Sequence, residues 1–320
     1  MATTNNHHQQ GQQGEADIEM SEAPYIVFSG FSMGTADVVP GVSGGTMAVA
    51  MGIYAQLLRA IASVNVECIQ ALLGLKWARA FAIIHLRFLA SLGVGIALGV
   101  GLMVKIVKLP ELIHSSPKPV YAVFFGLVLG STVLLSRRIP LWNGARIGSL
   151  LCGAGFGFAV VSLVPVATPD APWFIFLSGF IAICAMVLPG ISGSFVLLIL
   201  GKYAYVLDAL GNLRFGIIVP FALGALIGLA TFSRVVAWAL SRWHDTVLAG
   251  LTGLLLGSLW RIWPYQHLTT IIVRDKPRVV GAEPFLPTGL EPAVLMLFVA
   301  GVATVLALEF VATRKAIQPA

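Results

Sequence analysis

Apolar runs separated by short polar segments occupy most of the chain after residue 24. Six of these runs carry almost no charge, and each is close to the ~20 residues that a helix needs to cross a bilayer. The pattern therefore predicts six transmembrane helices, at about residues 86–108, 119–136, 145–164, 215–240, 246–262 and 291–313.

Two further apolar regions are too long for a single span and are interrupted near the middle. Residues 171–201 contain no charged side chain, and as one helix they would be about 46 Å long, against a hydrocarbon core of about 30 Å. Pro189-Gly190 breaks that helix by removing a backbone donor, and Pro40-Gly41 does the same earlier in the chain. We therefore predict two re-entrant helix–break–helix hairpins, over residues 25–60 and 171–210.

The two hairpins are copies of each other. A shift of 149 positions superposes Ser29-Gly30-Phe31 on Ser178-Gly179-Phe180, and the segment 40–44 on 189–193. Because the matches extend over both breaks, we interpret them as an internal repeat.

The spans after each hairpin repeat as well. Residues 126–131 (GLVLGS) match residues 253–258 (GLLLGS), and a fainter match pairs Leu92-Gly93 with Leu223-Gly224. Each half therefore has the order hairpin, span, GLxLGS span, span. The first repeat is predicted over residues 25–164 and the second over 171–313.

Parity decides how the halves are oriented. Three spans separate the hairpins, and a re-entrant hairpin does not change sides, so the second hairpin enters from the opposite face. The prediction is an all-α polytopic membrane protein built as an inverted-topology repeat, the architecture of secondary transporters. Arg137, Arg138 and Arg146 in one short loop favour cytoplasmic N- and C-termini.

Composition agrees with a membrane protein and excludes other classes. The chain is 58% hydrophobic and 11% charged, whereas soluble domains carry about 25% charged residues. The net charge of +6 does not indicate nucleic-acid binding, because Lys and Arg flank apolar runs singly or in pairs. The cysteines have no CxxC spacing, and nothing implies a metal or cofactor. Residues 1–24 and 314–320 are predicted to be polar tails, the first disordered.

Each break predicts an anion site. Glycines let successive N–H groups turn inward, hydroxyl groups add donors, and a following helix supplies partial positive charge. The alternative is that Gly and Ser here only permit tight helix packing. The predicted phosphate-binding residues are Ser43, Gly44, Gly45, Thr46, Ser192, Gly193 and Ser194, beside breaks at Pro40, Gly41, Pro189 and Gly190.

Two ionisable residues within apolar segments are candidates for function. Asp37 has Met186 at its equivalent position, and an intramembrane carboxylate indicates a proton or cation coupler or a charge partner, unless it is a solvated turn residue. Arg234 either extends to the interface or reaches a phosphate. Arg261 and the neighbouring tryptophans are expected to extend their span into the interface.

With these motifs the chain resembles a bacterial membrane family associated with polyprenyl-phosphate transport, the PopT family. The resemblance covers roughly residues 25–312 but not the N-terminal tail or the loop 265–290. Its motifs are residues 36–48, 125–127, 188–195, 232–234 and 253–264.

The resemblance implies a function at the bacterial plasma membrane. A member of this family recycles undecaprenyl phosphate, or a related polyprenyl phosphate, from the outer to the inner leaflet for cell-envelope synthesis. The resemblance also implies a functional role for Arg234.

Two other functions remain as alternatives. A carrier or channel for a small anion would use the same sites. A polyprenyl-diphosphate phosphatase would need a general acid or base near the motif serines, and no His or Glu accompanies them. The sequence leaves the prenyl chain length, the coupling ion and the oligomeric state open.

Overall fold

A computed structural model describes residues 22–39, 41–63, 85–273, 276–289 and 291–317, together with residues 70, 74 and 76. Pro40 and most of the predicted N-terminal tail lie outside these ranges. The helices are α1 (Ala23–Asp37), α2 (Gly44–Ala50), α3 (Tyr54–Ala62), α4 (Leu86–Gly101), α5 (Leu109–Ser115), α6 (Pro117–Arg137), α7 (Gly144–Val161), α8 (Pro172–Val187), α9 (Gly193–Ile199), α10 (Tyr203–Gly211), α11 (Phe215–Arg242), α12 (His244–Ser258) and α13 (Pro292–Ile317). Two strands, β1 (Gln266–Val273) and β2 (Lys276–Pro284), lie between α12 and α13.

Local sequence sets several of the helix ends. Proline occupies the first position of α6, α8 and α13, where its missing N–H interrupts no helical hydrogen bond. Asn143 caps α7, since its side chain accepts a hydrogen bond of 3.0 Å from Arg146 N. A π-helical turn, Leu102–Ile106, extends α4, and a 3-10 turn, Leu259–Ile262, extends α12.

The described residues contain the helices of a multi-pass membrane protein. Four helices are long and apolar enough to cross a bilayer: α4 with its π-helical turn, α6, α7 and α11. The number rises to six if each of two sharply bent helix pairs is counted as one span. The chain is thus mostly helical with broken helix pairs, which confirms the predicted class at this level.

Each predicted hairpin contains two breaks instead of one. The first separates α1 from α2, and the second separates α2 from α3, which are bent by 119°; α9 and α10 are bent by 109°. The break between α2 and α3, and its counterpart between α9 and α10, rests on a glycine in the left-handed region: Gly52 (φ +73°) and Gly201 (φ +64°). The sequence analysis missed this break because it contains no proline.

The helices pack in four close pairs: α1 with α4, α8 with α11, α6 with α13, and α7 with α12. Glycines bring the backbones together. A Cβ added at Gly95 of α4 would overlap the carbonyl oxygen of Val27 in α1, and one at Gly224 of α11 would overlap that of Phe176 in α8. Small residues at crossings are how membrane helices approach closely.

These crossings correct the predicted register of the first span. Gly95 and Gly224 contact residues that are themselves equivalent, Val27 and Phe176, 149 positions apart. Gly224 therefore corresponds to Gly95, not to Gly93, which has no atom within 4 Å of its would-be Cβ. The sequence match was misleading because Leu-Gly pairs recur along this helix.

The β-hairpin corrects the expectation of an all-α chain. Strands β1 and β2 pair antiparallel, with an irregularity between Thr269 and Thr270. At its base Trp263 Nε1 donates to Phe285 O at 3.0 Å, and the Tyr265 hydroxyl accepts from Glu291 N at 3.1 Å. The β-branched run Thr269–Val273 is the signal that could have predicted the first strand.

The α1–α4 crossing generates a prediction for two neighbouring glycines of α4. Gly95→Ala should lower the free energy of unfolding by about 1–3 kcal/mol, because the added methyl group has no space beside Val27. Gly93→Ala is the matched control and should leave stability unchanged or slightly raised, since alanine is the better helix former. Unfolding of the purified protein in detergent measures both. Equal destabilisation by the two variants would contradict the observed register.

Candidate anion site at the paired helix breaks

The two Pro-Gly breaks are in direct contact. Gly190 N donates a hydrogen bond of 3.0 Å to Thr46 Oγ1, and the Tyr54 hydroxyl donates one of 3.0 Å to Val187 O. Thr46 is fully buried. The structure therefore brings together motif residues that lie more than 130 positions apart in the chain.

The first Pro-Gly break, between α1 and α2, satisfies its own hydrogen-bond donors. Gly44 N donates to Asp37 Oδ1 at 2.6 Å, and Gly45 N donates to Ser43 Oγ at 3.2 Å. Thr46 N donates to Ser43 O at 2.9 Å. The backbone N–H donors that the sequence analysis assigned to a phosphate at this break are thus occupied by the protein itself, and Asp37 supplies the anion.

The second Pro-Gly break, between α8 and α9, leaves hydrogen-bond donors available. Ser192 forms no cap on α9, and its hydroxyl lies 2.8 Å from that of Ser194, which is exposed. In the described part of the chain the N–H groups of Gly193 and Ser194 have no acceptor. This is the break at which an added anion would find unused hydrogen-bond donors.

One symmetry difference explains the contrast between the breaks. A Cβ added at Gly44 would lie 2.6 Å from Asp37 Oδ2, whereas one at the equivalent Gly193 would lie 3.2 Å from Met186 Cβ. Met186 therefore takes the place of Asp37 and offers no acceptor. Both breaks otherwise share the left-handed glycine, with φ +89° at Gly41 and at Gly190.

Arg261 belongs to this site, contrary to the expectation that it anchors a span at the interface. Its side chain is buried, with 8% exposure, and its Cζ lies 4.6 Å from the centre of the Phe195 ring in the first turn of α9. A Cβ added at Gly41 would lie 2.9 Å from Arg261 Cγ. The missed signal is a charge three residues after GLLLGS, where the first repeat has Leu134.

Arg234 lies elsewhere. It is exposed on α11, and its Nε donates to Ala62 O at 3.3 Å, at the C-terminus of α3. Helix α3 rises about 12 Å between Tyr54, which touches the second break, and Ala62. The structure therefore does not bring the Arg234 contact together with the motif serines.

The comparison with known families supports the resemblance seen in the sequence. The model of the undecaprenyl phosphate translocase-like family matches residues 33–280. The chain belongs to this family. The match includes both breaks, Arg234, Arg261 and most of the β-hairpin that the resemblance had left outside.

Two relatives carry the same description. A polyprenyl-phosphate transporter of Vibrio cholerae serotype O1 is 38% identical over 294 residues, which cover 88% of this chain and 94% of the relative. A polyprenyl-phosphate transporter of Staphylococcus aureus is 28% identical over 257 residues, which cover 74% of this chain and 85% of the relative. Both are named as transporters, in agreement with the expectation that the chain is not an enzyme. No solved structure matches the chain.

The contact between the breaks generates a prediction for Thr46. Thr46→Val should destabilise the protein by about 1–3 kcal/mol, because it leaves the buried Gly190 N–H without an acceptor. Thr46→Ser keeps the hydroxyl group and should lower the free energy of unfolding by less than Thr46→Val does. Thermal unfolding of both variants in detergent measures the difference. If Thr46→Val were as stable as Thr46→Ser, the hydrogen bond between the breaks would not hold the site together.

Proposed function

We propose that the protein transports undecaprenyl phosphate or a related polyprenyl phosphate from the outer to the inner leaflet of the plasma membrane. The observation that carries the proposal is the second break, where unused donors lie beside a buried arginine. The names of the two relatives support the choice of substrate. The head group is a small anion, which suits hydroxyl and N–H donors together with a guanidinium group.

The helix bounds support an inverted repeat as the framework. The starts of α1, α2 and α3 precede those of α8, α9 and α10 by 149 positions. The starts of α4 and α6 precede those of α11 and α12 by 129 and 127 positions, so the order of helices is the same in both halves. The close pairs α6–α13 and α7–α12 join opposite halves and are equivalent under this exchange. With three spans between the hairpins, the halves have opposite orientation in the bilayer.

The long prenyl tail stays in lipid while the head group moves. Such a tail cannot enter a closed cavity, so the head-group site needs a lateral route. Ser194 is exposed, and Met186 is 45% exposed, so the second break is open to the surroundings of the helix bundle. This exposure supports entry of the head group from the side.

One difference between the contacts of the two halves supports alternating access. Helix α3 packs on α11, where Arg234 bonds to Ala62 O. Among the described residues no comparable contact joins the equivalent helices α10 and α4. Ile106, in the π-helical turn that extends α4, is 73% exposed. With cytoplasmic termini, this state is closed toward the cytoplasm and open outward. In the opposite state α10 closes on α4 and α3 leaves α11.

Asp37 is the coupling group in this mechanism. Its carboxylate holds Gly44 N at the first break, so protonation weakens that bond and frees the break to move. Arg234 acts at the α3–α11 contact and not on the phosphate. The head group is held by the paired breaks, chiefly through Ser192, Gly193 and Ser194 in the outward-open state.

The function is tested by following a fluorescent polyprenyl phosphate in liposomes that contain the protein. The wild type should move the lipid between leaflets, and Ser192→Ala/Ser194→Ala should slow this by about 10-fold or more, because hydrogen bonds to a charged group are lost. Ser241→Ala removes an exposed hydroxyl that bonds only to its own helix and should transport normally. Asp37→Asn should remove any stimulation by a pH gradient.

The same liposomes distinguish a carrier for small anions. The proposal requires inhibition by a short-chain polyprenyl phosphate at concentrations where inorganic phosphate has no effect. Lipid movement no faster than in empty liposomes, with inorganic phosphate taken up instead, would favour the small-anion carrier.

The opposite state is tested by cross-linking. Lys105 and Gly211 are the repeat equivalents of Arg234 and Ala62, and both are exposed. After Cys68, Cys152 and Cys184 are changed to serine, Lys105→Cys/Gly211→Cys should form a disulfide that stops transport until it is reduced. Single-cysteine variants are the controls. Absence of the cross-link in an actively transporting protein would contradict alternating closure of α3 and α10.

A separate measurement tests the place of Arg234. Arg234→Ala should change the rate of transport but not the affinity for a short-chain polyprenyl phosphate. A fall in affinity would place Arg234 at the head group, as the resemblance implies.

A further inference from the structure

Arg261 is a buried cation without an anionic partner. Its side chain has 8% exposure, yet among the described residues it makes no hydrogen bond and no ion pair. Its guanidinium group instead lies over the face of the Phe195 ring, with Cζ 4.6 Å from the ring centre. The nearest acidic residue of the breaks, Asp37, bonds to Gly44 instead.

This arrangement is unfavourable unless an anion binds. A charged side chain in an apolar interior is costly, and such residues are normally paired. A cation–π contact offsets only part of that cost. Charges within membrane segments are rare and mark pathways for substrates or ions.

The surroundings of Arg261 offer a second donor. Helix α6 packs against the 3-10 turn that carries Arg261, and Tyr121 of α6 interacts electrostatically with Arg261. Tyr121 is almost fully buried, with 2% exposure. Among the described residues its hydroxyl group has no hydrogen-bond partner either. Two unpartnered donors, one of them charged, thus lie together in the core beside the second break.

Arg261 is positioned by the breaks themselves. Phe195 follows Ser194 directly in α9, so the guanidinium group lies beside the first turn of that helix. The stem of Arg261 contacts Gly41, which is in the left-handed region and leaves room for it. The cation therefore lies between the two breaks, next to the exposed Ser192–Ser194 pair.

We propose that Arg261 is the charged ligand of the phosphate head group and that the Tyr121 hydroxyl is a second donor. This deepens the proposed function and rests on it. A guanidinium group binds two phosphate oxygens at once, which lysine cannot do in the same geometry. The equivalent position of the first repeat is Leu134, so only the second repeat supplies a cation at this position.

The test measures binding of farnesyl phosphate, a short-chain polyprenyl phosphate, to the purified full chain in detergent. Arg261→Met should weaken binding by about 30-fold or more. Arg261→Lys and Tyr121→Phe should each weaken binding by a smaller factor than Arg261→Met does. Binding of farnesol, which lacks the phosphate, should not change. The matched control is Arg137→Gln, an exposed arginine at the end of α6, which should bind as the wild type does.

Melting temperature separates a ligand from a structural residue. An unpaired buried cation destabilises the empty protein, so Arg261→Met should melt at the same or a higher temperature than the wild type without lipid. The increase in melting temperature with farnesyl phosphate should be lost. A large fall in the melting temperature of empty Arg261→Met would show a structural role and overturn the proposal.

Failure of this proposal differs from failure of the proposed function. If the wild type binds and moves the lipid and Arg261→Met binds it equally well, Arg261 is not the anchor but the transporter assignment stands. If the wild type binds farnesyl phosphate no better than farnesol, the proposed function fails and the anchor fails with it.

Discussion

A helix that breaks inside a membrane exposes backbone N–H groups where no water can satisfy them, and the arrangement of this protein follows from that constraint. At the first break Asp37 and Ser43 accept the exposed donors, and Thr46 extends the same solution to Gly190 of the second break. Among the residues that the structure describes, nothing accepts a hydrogen bond from the N–H groups of Gly193 and Ser194. These two donors are the ones that we propose for the anion.

The framework that holds the breaks is symmetric, and the chemistry comes from where symmetry fails. Glycine crossings repeat in both halves, so the helices meet at equivalent points. Three differences then distinguish the halves: Asp37 against Met186, Thr46 against Phe195, and Leu134 against Arg261. Together they give one break an internal anion and place a cation beside the other. In the proposed mechanism, the exchange of conformation between the halves uses the symmetry, whereas binding of the head group uses the differences.

Much of this could be read from the sequence because the signals are local. Apolar runs interrupted by Pro-Gly reveal broken helices, and repeated motifs reveal the duplication. The glycine turns between α2 and α3 and between α9 and α10 were missed because a glycine alone is a weak signal. Register failed at Gly93 because contact between helices, not a residue match, decides which glycine lies at the crossing. The short β-hairpin had only a β-branched run to indicate it.

The roles of the two arginines could not be read from spacing. Arg234 and Arg261 each lie near the end of an apolar run, and the sequence gives them similar surroundings. Only packing shows that Arg234 is exposed on the α3–α11 contact, while Arg261 turns inward over Phe195. Burial in the folded chain is what distinguishes the two arginines, and it is the basis of the different roles that we propose for them.

The central claim is that the phosphate head group is held at the second break, beside Arg261. An experimental structure of the protein in a lipid nanodisc with bound polyprenyl phosphate tests it most directly. The account predicts phosphate density between the Ser192–Ser194 pair and the Arg261 guanidinium group, with the prenyl tail leaving sideways into lipid. Phosphate density at surface arginines, with the second break empty, would contradict it.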